Sequence, residues 1–170
     1  MEAIALLLEE LHEGESDLVH QLRRAAHQHA TDFDVRHGAT ELSAWSEEHV
    51  RRLAEAGTHH GLQLSAGAED KGDGVVQQLL EKTAKAVGRR PEPALLLLRD
   101  LRELYLSAAR NKLNWEMLAQ GAKALHDPQL LDLATRCQSQ TVRQSHWAET
   151  LTKELAPQAL TSLSPEEVQG

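Results

Sequence analysis

Cysteine occurs once in the 170 residues, at Cys137, which excludes an intramolecular disulfide and fits a reducing compartment. Aromatic residues are only 3% of the chain. The apolar set is mostly Ala and Leu, which favour helix, whereas β-rich domains draw on Val, Ile, Tyr and Phe. No apolar run approaches the roughly 20 residues that span a bilayer. The N-terminal residues Met1-Glu2-Ala3 lack the basic region of a secretory signal. A basic stripe is also missing. The pairs Arg23-Arg24, Arg51-Arg52 and Arg89-Arg90 are separated by acidic residues, and the formal charge is −8. These absences argue against membrane and nucleic-acid partners and point to a cytoplasmic protein.

What is present is apolar content of 41%, enough for one domain with a packed core, and ten histidines. Protonating all ten would take the formal charge from −8 to +2. Such richness reads either as a solvated surface or as capacity for metal binding and pH sensing.

Apolar residues recur three and four apart, the period of an amphipathic helix. A first helix is expected from Glu2 to Ala30, with Ile4, Leu8, Leu11, Leu18, Leu22 and Ala25 inward and Glu15 and His29 on the same seam. After a turn at residues 31–34, with Asp34 as expected N-cap, a second helix runs from Val35 to Ala56 and stops at Gly57. Its seam reads Val35, Ala39, Leu42, Ser46, His49, Leu53 and Ala56. Residues 58–74 are rich in Gly, Ser and charge and are expected to form a mobile loop. A short amphipathic helix is expected from Val75 to Val87.

Arg90-Pro91-Glu92-Pro93 opens the third long helix, expected to reach Leu125, with seam Leu97, Leu101, Leu104, Ala108, Asn111, Trp115, Leu118, Ala122 and Leu125. Leu95 to Leu98 is apolar on every face, so the short helix or a partner subunit is expected to cover it. Asp127 caps a fourth helix from Pro128 to Leu155, with seam Leu130, Ala134, Cys137, Thr141, Gln144, Ala148, Leu151 and Leu155. Pro157 is expected to end it. The domain is thus residues 1–156, with a flexible tail over 157–170. Short, long and short connections between four long helices describe an all-α four-helix bundle with one long crossover, the ferritin-like arrangement.

The segments His12-Glu13-Gly14-Glu15, Ala44 to Leu53, Asn114-Trp115-Glu116-Met117-Leu118 and Gln144-Ser145-His146-Trp147-Ala148 resemble small ferritin-like proteins of high-GC bacteria. The resemblance reaches to about residue 160 and implies the fold. It implies no activity, because those relatives mostly carry none established. The wider superfamily contains iron stores, di-iron oxidases and stress-induced proteins.

Active ferritin-like sites take one Glu from each of two helices and a Glu-x-x-His from each of the other two. Four carboxylates neutralise two metal ions about 3.5–4 Å apart. Here the inward residues at mid-height are Glu15, Ser46, His49, Ala108, Asn111, Thr141 and Gln144. Ser46-x-x-His49 and Thr141-x-x-Gln144 keep the spacing of the motif, but one carboxylate and one imidazole are all that remain of its ligands. Two divalent ions would then carry large uncompensated charge.

Three readings follow. The residues form a polar layer in which Ser46, Asn111, Thr141 and Gln144 satisfy a Glu15–His49 pair, or Glu15 and His49 hold a single iron, manganese or zinc ion or a small polar ligand, or a degenerate di-metal enzyme persists. The first predicts no cofactor and a non-catalytic structural or interaction module, a homodimer. Other candidates are weaker. His37 and Glu41 share the one-turn spacing of hemerythrin-type sites but lack further paired histidines, and His59-His60 would make a surface metal site. Cys137 reads as a small buried apolar residue. Trp45, Trp115 and Trp147 read as anchors of the core or an interface. No phosphate-binding loop, zinc-type cysteine pair or nucleophile elbow is present.

Overall fold

The structure, a computed structural model, describes residues 2–69 and 92–162. Of these residues 86% are helical and none is in a strand. Four long helices pack together: α1 (Glu2–Gln28), α2 (Phe33–Thr58), α3 (Pro93–Ala124) and α4 (Pro128–Thr161). None of them is long and apolar enough to cross a membrane. The expected short helix at residues 75–87 and the tail beyond residue 162 lie outside the described residues.

Local chemistry sets most of the helix ends. Asp32, in extended backbone, accepts the Val35 N–H at 3.1 Å, so Asp32 caps α2 and the expected Asp34 falls in its first turn. Asp127 caps α4 as expected, accepting from Leu130 N–H at 3.0 Å. Pro93 stands in the first turn of α3, as expected of a proline there.

Pro157 does not end α4, which continues through it to Thr161. The proline forfeits one backbone hydrogen bond. The helix beyond it is held by the buried Ala159 and by Thr161 Oγ1, which donates to the Pro157 carbonyl at 2.6 Å. The helix thus runs past residue 156, to Thr161.

Contacts along the helices fix their directions. Gly121 of α3 faces Ile4, Asn111 faces Gly14, and Asp100 binds His29 just past the end of α1, so α1 and α3 are antiparallel. Trp147 lies on Gly38, Gln144 on Ser46 and Gln140 on His49, so α2 and α4 are antiparallel too. The pairs α1–α2 and α3–α4 are hairpins, so α2 and α3 point the same way. The end of α2 and the start of α3 therefore lie about the length of α2 apart, ~39 Å for its 26 residues.

The residues that follow α2 run back along α1. Two histidines of α1 tie them down: His12 Nε2 meets the Ser65 carbonyl at 2.7 Å and His20 Nε2 the Glu69 carbonyl at 2.9 Å. Between these two contacts the chain bends at Ala66 and Gly67, and the Gly67 N–H donates to Ser65 Oγ at 3.3 Å. The eight helical residues from His12 to His20 rise ~12 Å. This strap, residues 65–69, thus runs alongside α1, and residues 70–74 of the expected mobile loop lie outside the described residues.

Two apolar clusters fill the interior. One contains Leu18, Leu22, Leu42, Leu101 and Ala148, and the other Leu8, Leu11, Leu53, Trp115 and Leu118. The expected seams are buried except at their ends. Ile4, Ala56, Leu151 and Leu155 are half-buried, and Leu125 is exposed because α3 has already ended at Ala124.

Candidate functional site

Between the two apolar clusters lies a polar layer contributed by all four helices. The α1 seam places Glu15 there, fully buried, and the α2 seam places His49, 1% exposed. His49 Nδ1 stands 3.2 Å from Glu15 Oε1 in an ion-pair contact that is poorly aligned for a hydrogen bond. Trp115, from α3, donates its indole N–H to the same oxygen at 2.8 Å. His49 Nε2 meets Gln140 Oε1 of α4 at 2.7 Å.

Both ring nitrogens of His49 thus face acceptor oxygens, an arrangement that suits the imidazolium. Burial opposes that charge. The facing Glu15 carboxylate outweighs it, helped by the adjoining Cys137 sulfur, and the imidazole pKa is held well above its ordinary value.

One turn away, Gln144 donates its amide N–H to Ser46 Oγ at 2.8 Å and to the Leu42 carbonyl at 3.1 Å. Thr141 turns back on its own helix and donates to the Cys137 carbonyl at 2.7 Å. Asn111 is buried against Gly14, where any Cβ would overlap its Oδ1, so glycine lets α1 and α3 approach closely at mid-height. Glu15 Oε2, Asn111 Nδ2 and Gln144 Oε1 are buried with no hydrogen-bond partner.

All the residues expected at mid-height are therefore buried at the same level, and Glu15 meets His49 directly. Sequence reasoning missed the donor and the acceptor that flank the pair, Trp115 and Gln140. Trp115 carried the signal of an inward indole, whose N–H must find an acceptor when buried. Gln140 carried none, lying one residue off the apolar seam. No model of a protein family, no curated protein and no solved structure matches this chain. The reading of the layer therefore rests on its own chemistry.

A di-metal centre does not fit that chemistry. One carboxylate opposes four positive charges, and among the described residues no three His, Cys, Asp or Glu side chains converge as a metal cage. The other sequence candidates are dispersed. His37 is exposed and stacks on Phe33 with ring centres 5.7 Å apart, and Glu41 is exposed.

His59 and His60 line an open cleft of about 410 Å³ between the end of α2 and the start of α4. The cations of this cleft are already committed, since Arg51 binds Glu48 and Glu55 and Arg52 binds Glu48. Trp115 is fully buried, while Trp45 and Trp147 are half-buried flank anchors.

Proposed function

We propose that this chain is a ferritin-like four-helix bundle whose mid-height di-metal site has degenerated, and that it acts as a non-catalytic structural or interaction module and self-associates. The parallel run of α2 and α3, joined by one long connection, supports the ferritin-like reading. The observation that carries the functional reading is the sealed Glu15–His49 pair. Its charges oppose each other, Trp115 donates to Glu15 Oε1, Gln140 meets His49 Nε2, and the pair is almost wholly withdrawn from solvent. Chemistry on a substrate needs access, and the cleft lined by His59 and His60 is built from other residues.

A second reading is favoured by the unpartnered oxygens. Glu15 Oε2 and Gln144 Oε1 are buried acceptors, and a single iron, manganese or zinc ion held with His49 would engage them. In that reading the chain handles metal or protects against stress. Elemental analysis of protein purified without a histidine tag separates the two. The module reading expects iron, manganese and zinc well below stoichiometric. One ion per chain, lost in Glu15→Ala and His49→Ala, would replace it with the metal reading, and two ions per chain would restore the di-metal site.

A further inference from the structure

The inward seam of α3 runs through Leu97, Leu101, Ala108 and Trp115. On the opposite side of the same helix stand Leu95, Leu106, Leu113 and Met117, exposed by 37%, 51%, 63% and 48%. Successive members are about three, two and one turns apart, so they fall on a single line along the helix. Other large exposed apolar residues, such as Leu6, Phe33 and Leu160, are isolated near helix ends. A helix with two apolar faces is packed on both sides. The first face is filled by this chain, and the second faces outward.

The polar residues beside the line select its occupant. Arg99 and Arg102 flank its N-terminal half, and Glu116 and Gln120 its C-terminal half. A parallel copy of α3 would set arginine against arginine. An antiparallel copy, turned about a two-fold axis near Ala109, sets Leu106 of each copy against Leu113 of the other. The same axis brings Arg102 beside Glu116 of the other copy and Arg99 beside its Gln120. Leu106 and Leu113, and Arg102 and Glu116, thus meet their complements across the axis, as a two-fold interface requires, while Leu95 lies opposite Ala124 and Arg110 of each copy lies beside the axis.

We propose that two copies of this chain pair through the outer faces of α3, antiparallel, with Leu106 and Leu113 at the centre. The inference rests on the reading of the chain as an interaction module and names its partner. It also accounts for the run Leu95 to Leu98. Leu97 serves the core and Leu95 the outer line, while Leu96 and Leu98 are half-buried between them.

Sedimentation equilibrium of the full chain at tens of micromolar tests this. The wild type is expected at twice its chain mass of 18.8 kDa. Leu106→Glu with Leu113→Glu is expected to give the single-chain mass with unchanged helical circular dichroism, since both side chains are exposed. Arg102→Glu and Glu116→Arg should each weaken association about tenfold, and their combination should restore it. A single-chain mass for the wild type overturns the proposal, and so does a charge swap that fails to restore pairing. A dimer that survives the two leucine changes overturns this interface but leaves the interaction-module reading standing. Stoichiometric metal would overturn that reading without touching the dimer.

Discussion

Two of the histidine–carboxylate pairs among the described residues, Glu15–His49 and His29–Asp100, join neighbouring helices and are built on different terms. Glu15–His49 links α1 to α2 at mid-height, with both side chains almost wholly removed from water. His29–Asp100 links the end of α1 to the start of α3 at 2.7 Å, with the side chains 9% and 18% exposed. In the sealed pair burial opposes the charge on the imidazole, yet the facing carboxylate holds that charge in place. In the corner pair burial would raise the Asp100 carboxyl, but the His29 hydrogen bond and the Arg99 guanidinium outweigh it and hold the carboxyl below its ordinary value. Water can take over for a lost partner at the corner, and at mid-height it cannot. The same two residue types therefore act as a replaceable clasp in one place and as mutually dependent charges in the other.

Removing one member of the sealed pair should produce the largest effect. Glu15→Ala or His49→Ala is expected to destabilise by about 3–5 kcal/mol, because the survivor is left charged and unpaired. Glu15→Leu with His49→Leu should cost less than either single change. Urea unfolding measures all three, and single changes that leave the midpoint in place would dissolve the contrast between the pairs. At the corner, His29→Ala is expected to cost only about 1–2 kcal/mol, since solvent replaces part of the bond.

Gly14→Ala sharpens the account of the mid-height layer. The new Cβ overlaps Asn111 Oδ1. Alanine's better helix propensity, ~1 kcal/mol, opposes an overpacking cost of ~1–3 kcal/mol. A net loss of about 1 kcal/mol is expected, relieved when Asn111→Ala is added. If Gly14→Ala instead stabilises the protein, the close approach of α1 and α3 is not real.

The smallest effects are slopes of stability against pH, and the two pairs should give them opposite signs. The folded state binds the His49 proton more tightly than the unfolded chain does. That stabilisation is full below the ordinary imidazole value of about 6.5 and is lost as pH rises through the folded value. Asp100 releases its proton more readily when folded. Its stabilisation is full above the ordinary value of 3.8 and is lost as pH falls through the folded value. His49→Gln should flatten only the alkaline limb of the unfolding midpoint, and Asp100→Asn only the acid limb. A variant that flattens both limbs would show that the pairs are coupled.

The four long helices were legible because their inward positions repeat over many turns, and a long periodic signal survives local noise. Placing Glu15, Ser46, His49, Asn111, Thr141 and Gln144 at one level needed only helix length and direction. What lay beyond reach was chemistry that periodicity does not encode. Gln140 reaches His49 from a half-buried position beside the seam. His12 is 2% exposed because a carbonyl of the strap meets it across 53 residues of sequence, and nothing in the α1 pattern marks that. Asp32 and Asp34 are equally good caps by composition, and only the backbone conformation at Asp32 chooses between them. Pro157 reads as a breaker wherever the residues around it are unknown.

The single thiol of this chain lies in the second apolar cluster where it borders the polar layer, 1% exposed and adjoining His49. A thiol reagent cannot reach Cys137 until α4 parts from its neighbours, so labelling will proceed no faster than that parting. The residue is therefore a clock for the opening of the interior, with no probe to be engineered in. Any change that loosens the middle of the molecule will be read as faster labelling at one atom.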